Sequence, residues 1–235
     1  MLDSAALRAR LADVRERIAR AAGRARRDPA SIRLVAISKT FDAEYVRAAA
    51  DAGQIDFGEN KVQEGLQKMD RTAGLPLRWH LVGHLQSNKA GKAGARFDII
   101  HSVDGVEIAH KLDQAASAAG RTLDLLVQVD LAGEPTKHGV REDELFAVFD
   151  AAPAWRAASL KGLMLLPPVV ENPEEARHYF RALSSVRERL MARGVDRSML
   201  TELSMGMSHD FEVAVEEGAT LVRVGTAIFG SRMHV

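Results

Sequence analysis

Lys39 follows the apolar run Leu34-Val35-Ala36-Ile37-Ser38, where a buried strand delivers its next side chain to the end of a sheet. A lysine so placed is partly desolvated, which favours the neutral amine, and a neutral amine attacks an aldehyde to form a Schiff base. The plainer alternative is a lysine that reaches past the strand end into solvent. A second group, Phe57-Gly58-Glu59-Asn60-Lys61-Val62-Gln63, offers Asn60 either as a helix cap, with Gln63 three residues on, or as an amide for a ligand. A third, Trp79-His80-Leu81-Val82-Gly83-His84, sets two histidines four apart. No Glu follows His80 and the first histidine falls in a strand, so no metal site is expected; ring stacking or hydrogen bonding suits His84 better. The last two groups are Ser204-Met205-Gly206-Met207-Ser208-His209-Asp210 and Arg223-Val224-Gly225-Thr226-Ala227-Ile228-Phe229-Gly230. Gly206 and Gly225 let the backbone approach an anion at a helix start, and the Ser208 and Thr226 hydroxyls can donate to it. A lysine on one side of a site and a phosphate cradle on the other suit pyridoxal phosphate, whose aldehyde and phosphate need two anchors. A class I aldolase or another phosphosugar enzyme would share both features.

Positioning these groups requires a regular scaffold, and the chain alternates β-like and helix-like stretches. The β-like runs are Arg33–Ser38, Ile55–Gly58, Arg78–Val82, Asp98–Val103, Leu123–Asp130, Leu160–Leu165, Leu200–Ser204 and Thr220–Val224. Helical spacing falls near 43–52, 60–69, 86–94, 104–119, 141–151, 173–193, 209–217 and 226–232. The units repeat about every 27 residues, the length a parallel βαβ unit needs. Strict alternation argues a parallel sheet covered by helices, and eight units fit an α/β fold of the closed (β/α)8 TIM barrel type with an extra N-terminal helix. An open doubly wound sheet is the alternative, but the turn Ser38-Lys39-Thr40-Phe41-Asp42 lacks the glycines of a dinucleotide site. No linker divides the chain, so 1–235 reads as a single domain. In such a barrel the reactive side chains gather at the strand C-termini, where every group above falls, and phosphate recurrently binds in the loops after strands seven and eight. Met164, in the strand that runs into Leu165-Leu166-Pro167-Pro168, reads as core filler or as a contact at the rim.

Residues 1–28 form a leading amphipathic helix, with Leu7, Leu11, Val14, Ile18 and Ala21 as its apolar stripe and Ser4 as its cap. Its other faces are rich in arginine, including Arg15, Arg17 and Arg24, with acidic residues interspersed. RNA, a membrane surface or a targeting function could use such a face, but without an aromatic anchor a solvated face is the expected reading. Over the whole chain, 32 basic residues cancel 32 acidic ones, so no global field favours nucleic acid or lipid. With no cysteine, disulfides, thiolate nucleophiles and iron–sulfur clusters are excluded. No apolar run is long enough for a membrane span or a secretory core, and a cytoplasmic monomer is expected.

The segments Ala36-Ile37-Ser38-Lys39, Phe57-Gly58-Glu59-Asn60, Trp79 to Lys89, His101-Ser102-Val103-Asp104, Gly162-Leu163-Met164, Ser204 to Ser208 and Arg223 to Gly230 together resemble the pyridoxal phosphate homeostasis proteins, the YggS family. The resemblance runs in order from the leading helix to Arg232. It implies a barrel similar to the N-terminal domain of alanine racemase, with pyridoxal phosphate held by Lys39 as an internal aldimine. It further implies that Ser208, Gly225 and Thr226 hold the phosphate, that Arg223 faces the pyridine nitrogen, and that Asn60, His84 and Met205 line the site. Arginine at that nitrogen disfavours its protonation and weakens the ring as an electron sink. Leu165-Leu166 and the tail Met233-His234-Val235 depart from the family pattern, which could alter the rim but should hardly touch these anchors. Two-base racemisation needs a second group opposite the lysine, a tyrosine from another domain in alanine racemase. Here Tyr45 and Tyr179 fall in outer helices and the chain ends with the barrel. The expectation is therefore a protein that binds, buffers and delivers the cofactor, with pyridoxal phosphate-dependent apoenzymes as the candidate recipients and no catalytic residue. A racemase of narrow scope and an RNA- or partner-binding protein are the alternatives.

Overall fold

Neighbouring residues of each strand carry their side chains to opposite faces, and here both faces find cover. The computed structural model describes residues 2–131 and 138–230. Among them, β1 (Arg33–Ile37), β2 (Asp56–Glu59), β3 (Arg78–Leu81), β4 (Ile99–Val103), β5 (Leu123–Gln128), β6 (Ala158–Met164), β7 (Glu202–Ser204) and β8 (Leu221–Val224) are parallel and pair in sequence order. β8 closes the barrel on β1 through Arg33 beside Leu221 to Ala36 beside Val224. The open doubly wound alternative is thereby excluded. The helices are α1 (Ser4–Arg24), α2 (Ala43–Asp51), α3 (Val62–Arg71), α4 (Ala90–Gly94), α5 (Val106–Ala118), α6 (Leu145–Ala151), α7 (Arg177–Ala192), α8 (Phe211–Glu216) and α9 (Thr226–Phe229). Where the spacing predicted helices beginning at 86, 141 and 173, short 3-10 turns come first. The last helix ends at Phe229, short of the expected 232, because Gly230 turns the chain at φ +90°; residues 231–235 lie outside the described residues.

Leu34, Ala36, Phe57, Leu81, Ile100, Leu125, Leu163, Leu203 and Val222 face outward into the layer between barrel and helices. Val35, Ile37, Val82, Ile99, Leu126, Met164 and Leu221 fill the interior. Met164 is thus filler inside the barrel, fully buried.

The stripe Leu7, Leu11, Val14, Ile18 and Ala21 is buried as its spacing predicts, and α1 packs on α2, α8 and α9. Its cap is Asp3, not Ser4: the Asp3 carboxylate accepts the Ala6 N–H at 2.9 Å, a position Ser4 cannot fill because it is already the first helical residue. Arg8, Arg15, Arg20, Arg24 and Arg26 are exposed, as a solvated face requires, but several of the arginines also reach neighbouring elements. Arg10 donates to the Ile228 carbonyl at 2.7 Å, Arg15 to the Ala52 and Gly53 carbonyls at 3.0 and 2.9 Å, and Arg27 to the Val215 carbonyl at 2.6 Å. Carbonyls at helix C-termini carry the negative end of the dipole, so these guanidiniums tie α1 to the barrel's outer helices. Arg17 pairs with Glu212 at 3.1 Å and lies 4.7 Å from the Phe211 ring centre. Both partners are about a third exposed, so Arg17→Ala should cost about 1 kcal/mol, or roughly 2–4 °C of melting temperature. A thermal melt that does not move would show that the clamp contributes nothing.

Candidate functional site

Lys39 continues the interior parity of Val35 and Ile37, and so emerges at the barrel mouth, half-buried. The next residue makes an abrupt turn: Thr40 has φ +68°, a left-handed conformation that costs a β-branched residue about 1–2 kcal/mol. The turn is held from several sides. Phe41 N–H donates to the Ser38 carbonyl at 3.0 Å, and Thr40 N–H donates to Glu64. Lys68 of α3 donates to the Ser38 carbonyl and to Glu59 Oε1, each at 2.6 Å, and to Glu64 Oε1 at 2.8 Å. All three ammonium hydrogens are therefore used. Ser38 Oγ donates to the same Glu59 oxygen at 2.6 Å, while Glu59 Oε2 is buried without a partner. Burial pushes the Glu59 carboxyl up from its ordinary range, against the pull of Lys68 and Ser38.

On the other side of the β1–β8 seam, Ser208 Oγ accepts the Gly225 N–H at 3.0 Å and the Ala227 N–H at 3.4 Å. Two backbone amides thus converge on one oxygen, the donor arrangement an oxyanion needs. α9 is only four residues long, so the donors, more than a helix dipole, make this an anion cradle. Gly206 has φ +92°, and a Cβ there would lie 2.5 Å from Ala214 Cβ, so only glycine lets the loop fold onto α8.

These parts line one cavity of about 460 Å³, together with Asn60, His84, Arg223 and Thr226. Lys39, Asn60, His84, Ser208, Arg223, Gly225 and Thr226 are all in its wall. Met205 is not: Ser204 points inward, so its neighbours Leu203 and Met205 point outward, and Met205 is fully buried in the outer layer. Met207, Leu166 and His209 line the cavity instead. The capping-box reading of Asn60 is also corrected. The cap position of α3 is Lys61, without a side-chain bond, because Asn60 lies one residue earlier, in the bend that follows β2. Its backbone packs so closely on Gly83 that a Cβ there would be 2.3 Å from the Asn60 carbonyl oxygen. Lys39 and the cradle are neighbours across the seam rather than on opposite sides of the mouth, since β1 and β8 are paired.

The two histidines with zinc-like spacing do not meet. His80 is fully buried inside the barrel, while His84 stands at the mouth, stacked on His138 with ring centres 3.5 Å apart and planes 9° apart. Asp104 lies 3.4 Å from His84 Nδ1. His84, Asp104 and His138 each place a ligand atom within 4.8 Å of the others, although the stacked rings lie in nearly parallel planes. Arg223 is buried beneath the cavity, donating to Ser204 Oγ at 2.6 Å and to the Leu165 carbonyl at 2.8 Å. Burial pushes its pKa down to about 10, opposed by the charge of Asp210, so it stays a cation at neutral pH. Sequence reasoning missed Glu59 and Lys68. The signal was a lysine among the buried α3 positions Val62, Gly65 and Met69.

The model of the family described as "Alanine racemase, N-terminal domain" matches residues 3–233. The pyridoxal phosphate homeostasis protein of Aquifex aeolicus is 41% identical over 225 residues, covering 96% of this chain and 98% of that one. That of Pseudomonas aeruginosa is 43% identical over 223 residues, covering 94% of each. The structure of PipY from Synechococcus elongatus with pyridoxal phosphate bound superposes with a TM-score of 0.84 at 39% identity, covering 95% of this chain and 100% of that chain.

Proposed function

We propose that this chain, which belongs to the alanine racemase N-terminal domain family and within it to the pyridoxal phosphate homeostasis proteins, binds pyridoxal phosphate at the barrel mouth and holds it for delivery to apoenzymes, without turnover of amino acids. One observation carries the reading. A half-buried lysine and a cradle of amides and hydroxyls share one cavity on adjacent strands. The aldehyde and phosphate arms of pyridoxal phosphate sit on adjacent ring carbons, so adjacent anchors fit it. When bound, the cofactor supplies an aldehyde that condenses reversibly with a primary amine.

Lys39 is the amine placed to receive it. Ser208, Thr226 and the Gly225 and Ala227 amides hold the phosphate, Asn60 and His84 border the ring, and Arg223 donates toward the ring nitrogen. A permanent cation there keeps that nitrogen unprotonated, which weakens the electron withdrawal that amino-acid chemistry requires. Tyr45 and Tyr179 sit on α2 and α7, packed against the outer core rather than in the cavity wall. Of the cavity histidines, His209 is engaged with the Glu171 carbonyl at 2.9 Å and His84 is stacked on His138. A ring that is stacked, or that donates from one nitrogen, can still take a proton on another, so the amino-acid screen below decides whether either serves as a second base.

The test is a spectroscopic titration of purified protein with pyridoxal phosphate, followed by an amino-acid screen for racemisation. One cofactor per chain with no turnover is expected. Racemisation of any amino acid that disappears in Lys39→Ala would replace the carrier reading by that of a narrow racemase. A second prediction concerns α1. Because Arg15 and Arg17 are engaged within the fold, salt-dependent nucleic-acid binding should be absent, and a gel-shift assay at low salt checks this.

A further inference from the structure

Beneath Arg223 the barrel interior holds a row of polar side chains from four strands that the cofactor reading leaves unused. Asp56 Oδ1 is 2.9 Å from His80 Nε2, His80 Nδ1 is 2.8 Å from His101 Nε2, and His101 Nδ1 is 2.7 Å from Ser204 Oγ. Ser204 Oγ is in turn 2.6 Å from the Arg223 guanidinium. All five residues are buried, amid apolar interior neighbours such as Ile99, Leu126 and Leu221. Apolar side chains would fill this space at lower cost in desolvation, so the row calls for a role beyond filling.

The ends of the row fix its direction. A guanidinium can only donate and a carboxylate can only accept. Burial works against the Asp56 carboxylate, but His80 and Arg78 more than offset it and hold its pKa below the ordinary range. Burial lowers both imidazoles, His101 well below the usual value, so each is neutral and carries one N–H. One arrangement then satisfies every link. His80 donates from Nε2 to Asp56, His101 donates from Nε2 to His80, and the Ser204 hydroxyl donates to His101. The Ser204 lone pairs are left facing Arg223. The second Arg223 nitrogen is already committed to the Leu165 carbonyl, so the guanidinium plane is held from two sides.

We propose that Asp56, His80 and His101 are positioning residues which, by committing the Ser204 hydroxyl hydrogen, fix Arg223 in the orientation that meets the cofactor's ring nitrogen. The inference rests on the reading that pyridoxal phosphate is the ligand. It makes retention of a group at the barrel mouth depend on a carboxylate deep in the interior.

Two measurements test it. The first uses wild-type protein labelled with ¹⁵N-histidine, ligand-free and loaded. Long-range proton–nitrogen correlations should show His80 and His101 as neutral Nε2–H tautomers at pH 7–8. An imidazolium or an Nδ1–H tautomer at either residue would overturn the row. The second compares release of pyridoxal phosphate with release of 1-deazapyridoxal phosphate, in which carbon replaces the ring nitrogen. His101→Phe and Ser204→Ala should each lose the cofactor about tenfold faster than wild type, the size of one hydrogen bond to a charged group, while losing the carbon analogue at nearly the wild-type rate. Equal acceleration for both compounds would mean a merely structural role and would sink the proposal. If His101→Phe does not fold, Ser204→Ala and the wild-type tautomers still decide. Wild-type protein that binds neither compound would overturn the cofactor reading, and this role with it.

Discussion

Lys39→Ala should abolish covalent capture of pyridoxal phosphate. After borohydride treatment, wild-type protein is expected to carry one pyridoxyl group, located by peptide mass spectrometry on Lys39, and the variant none. The expectation follows from strand parity: Val35 and Ile37 point into the barrel, so Lys39 delivers its amine to the mouth beside the Ser208 cradle. Lys68, a lysine packed beneath the same turn, is buried and donates all three hydrogens to Ser38, Glu59 and Glu64. Lys39 lies outside the apolar core, so truncating it should leave the melting temperature nearly unchanged. Non-covalent binding through the phosphate should survive, weakened by at least tenfold, because the cradle is built from other residues. A label that persists in the variant, or one found on another lysine, would refute the assignment.

Lys68→Met is the second large effect, and it acts on stability. Removing the ammonium leaves Glu59 fully buried beside an uncompensated Ser38 carbonyl, a change of about 3–5 kcal/mol. The double variant Lys68→Met with Glu59→Gln should recover much of that loss, since no charge is then stranded. The pH dependence has a definite sign. Without Lys68 the Glu59 pKa, already raised by burial, rises further above its unfolded value. The folded state then binds more protons than the unfolded state, so the variant's deficit relative to wild type should shrink as pH falls from 8 to 5. Chemical denaturation at both pH values measures it; a deficit that grows toward pH 5 would contradict the assignment of Glu59 as the stranded group.

The strands were legible because a parallel barrel buries both strand faces, which leaves short apolar runs separated by helical spacing. That Lys39, Ser208, Gly225 and Thr226 come together at the barrel mouth was legible because strand ends are local features. Met205 was misplaced through attention to loop position alone; the parity of Leu203, Ser204 and Met205 already turns it outward. Asn60 carried a cap signature, but the helix begins two residues later. The contacts of the α1 arginines were hidden because their partners lie up to 218 residues away. The row from Asp56 to Arg223 was hidden for the same reason. Its links join residues 24, 21, 103 and 19 positions apart, and only closure of the barrel brings them together.

The clamps of α1 also set an order of events during synthesis. Arg10, Arg17, Arg24 and Arg27 find their partners at Ile228, Glu212, Glu216 and Val215, near the other end of the chain. At the usual pace of translation, those partners follow the first helix by on the order of ten seconds or more. Throughout that interval Leu7, Leu11, Val14 and Ile18 have no α8 or α9 to cover them. The newborn chain therefore exposes a sticky helix until its last unit emerges, and it is in that window that a chaperone would have to act.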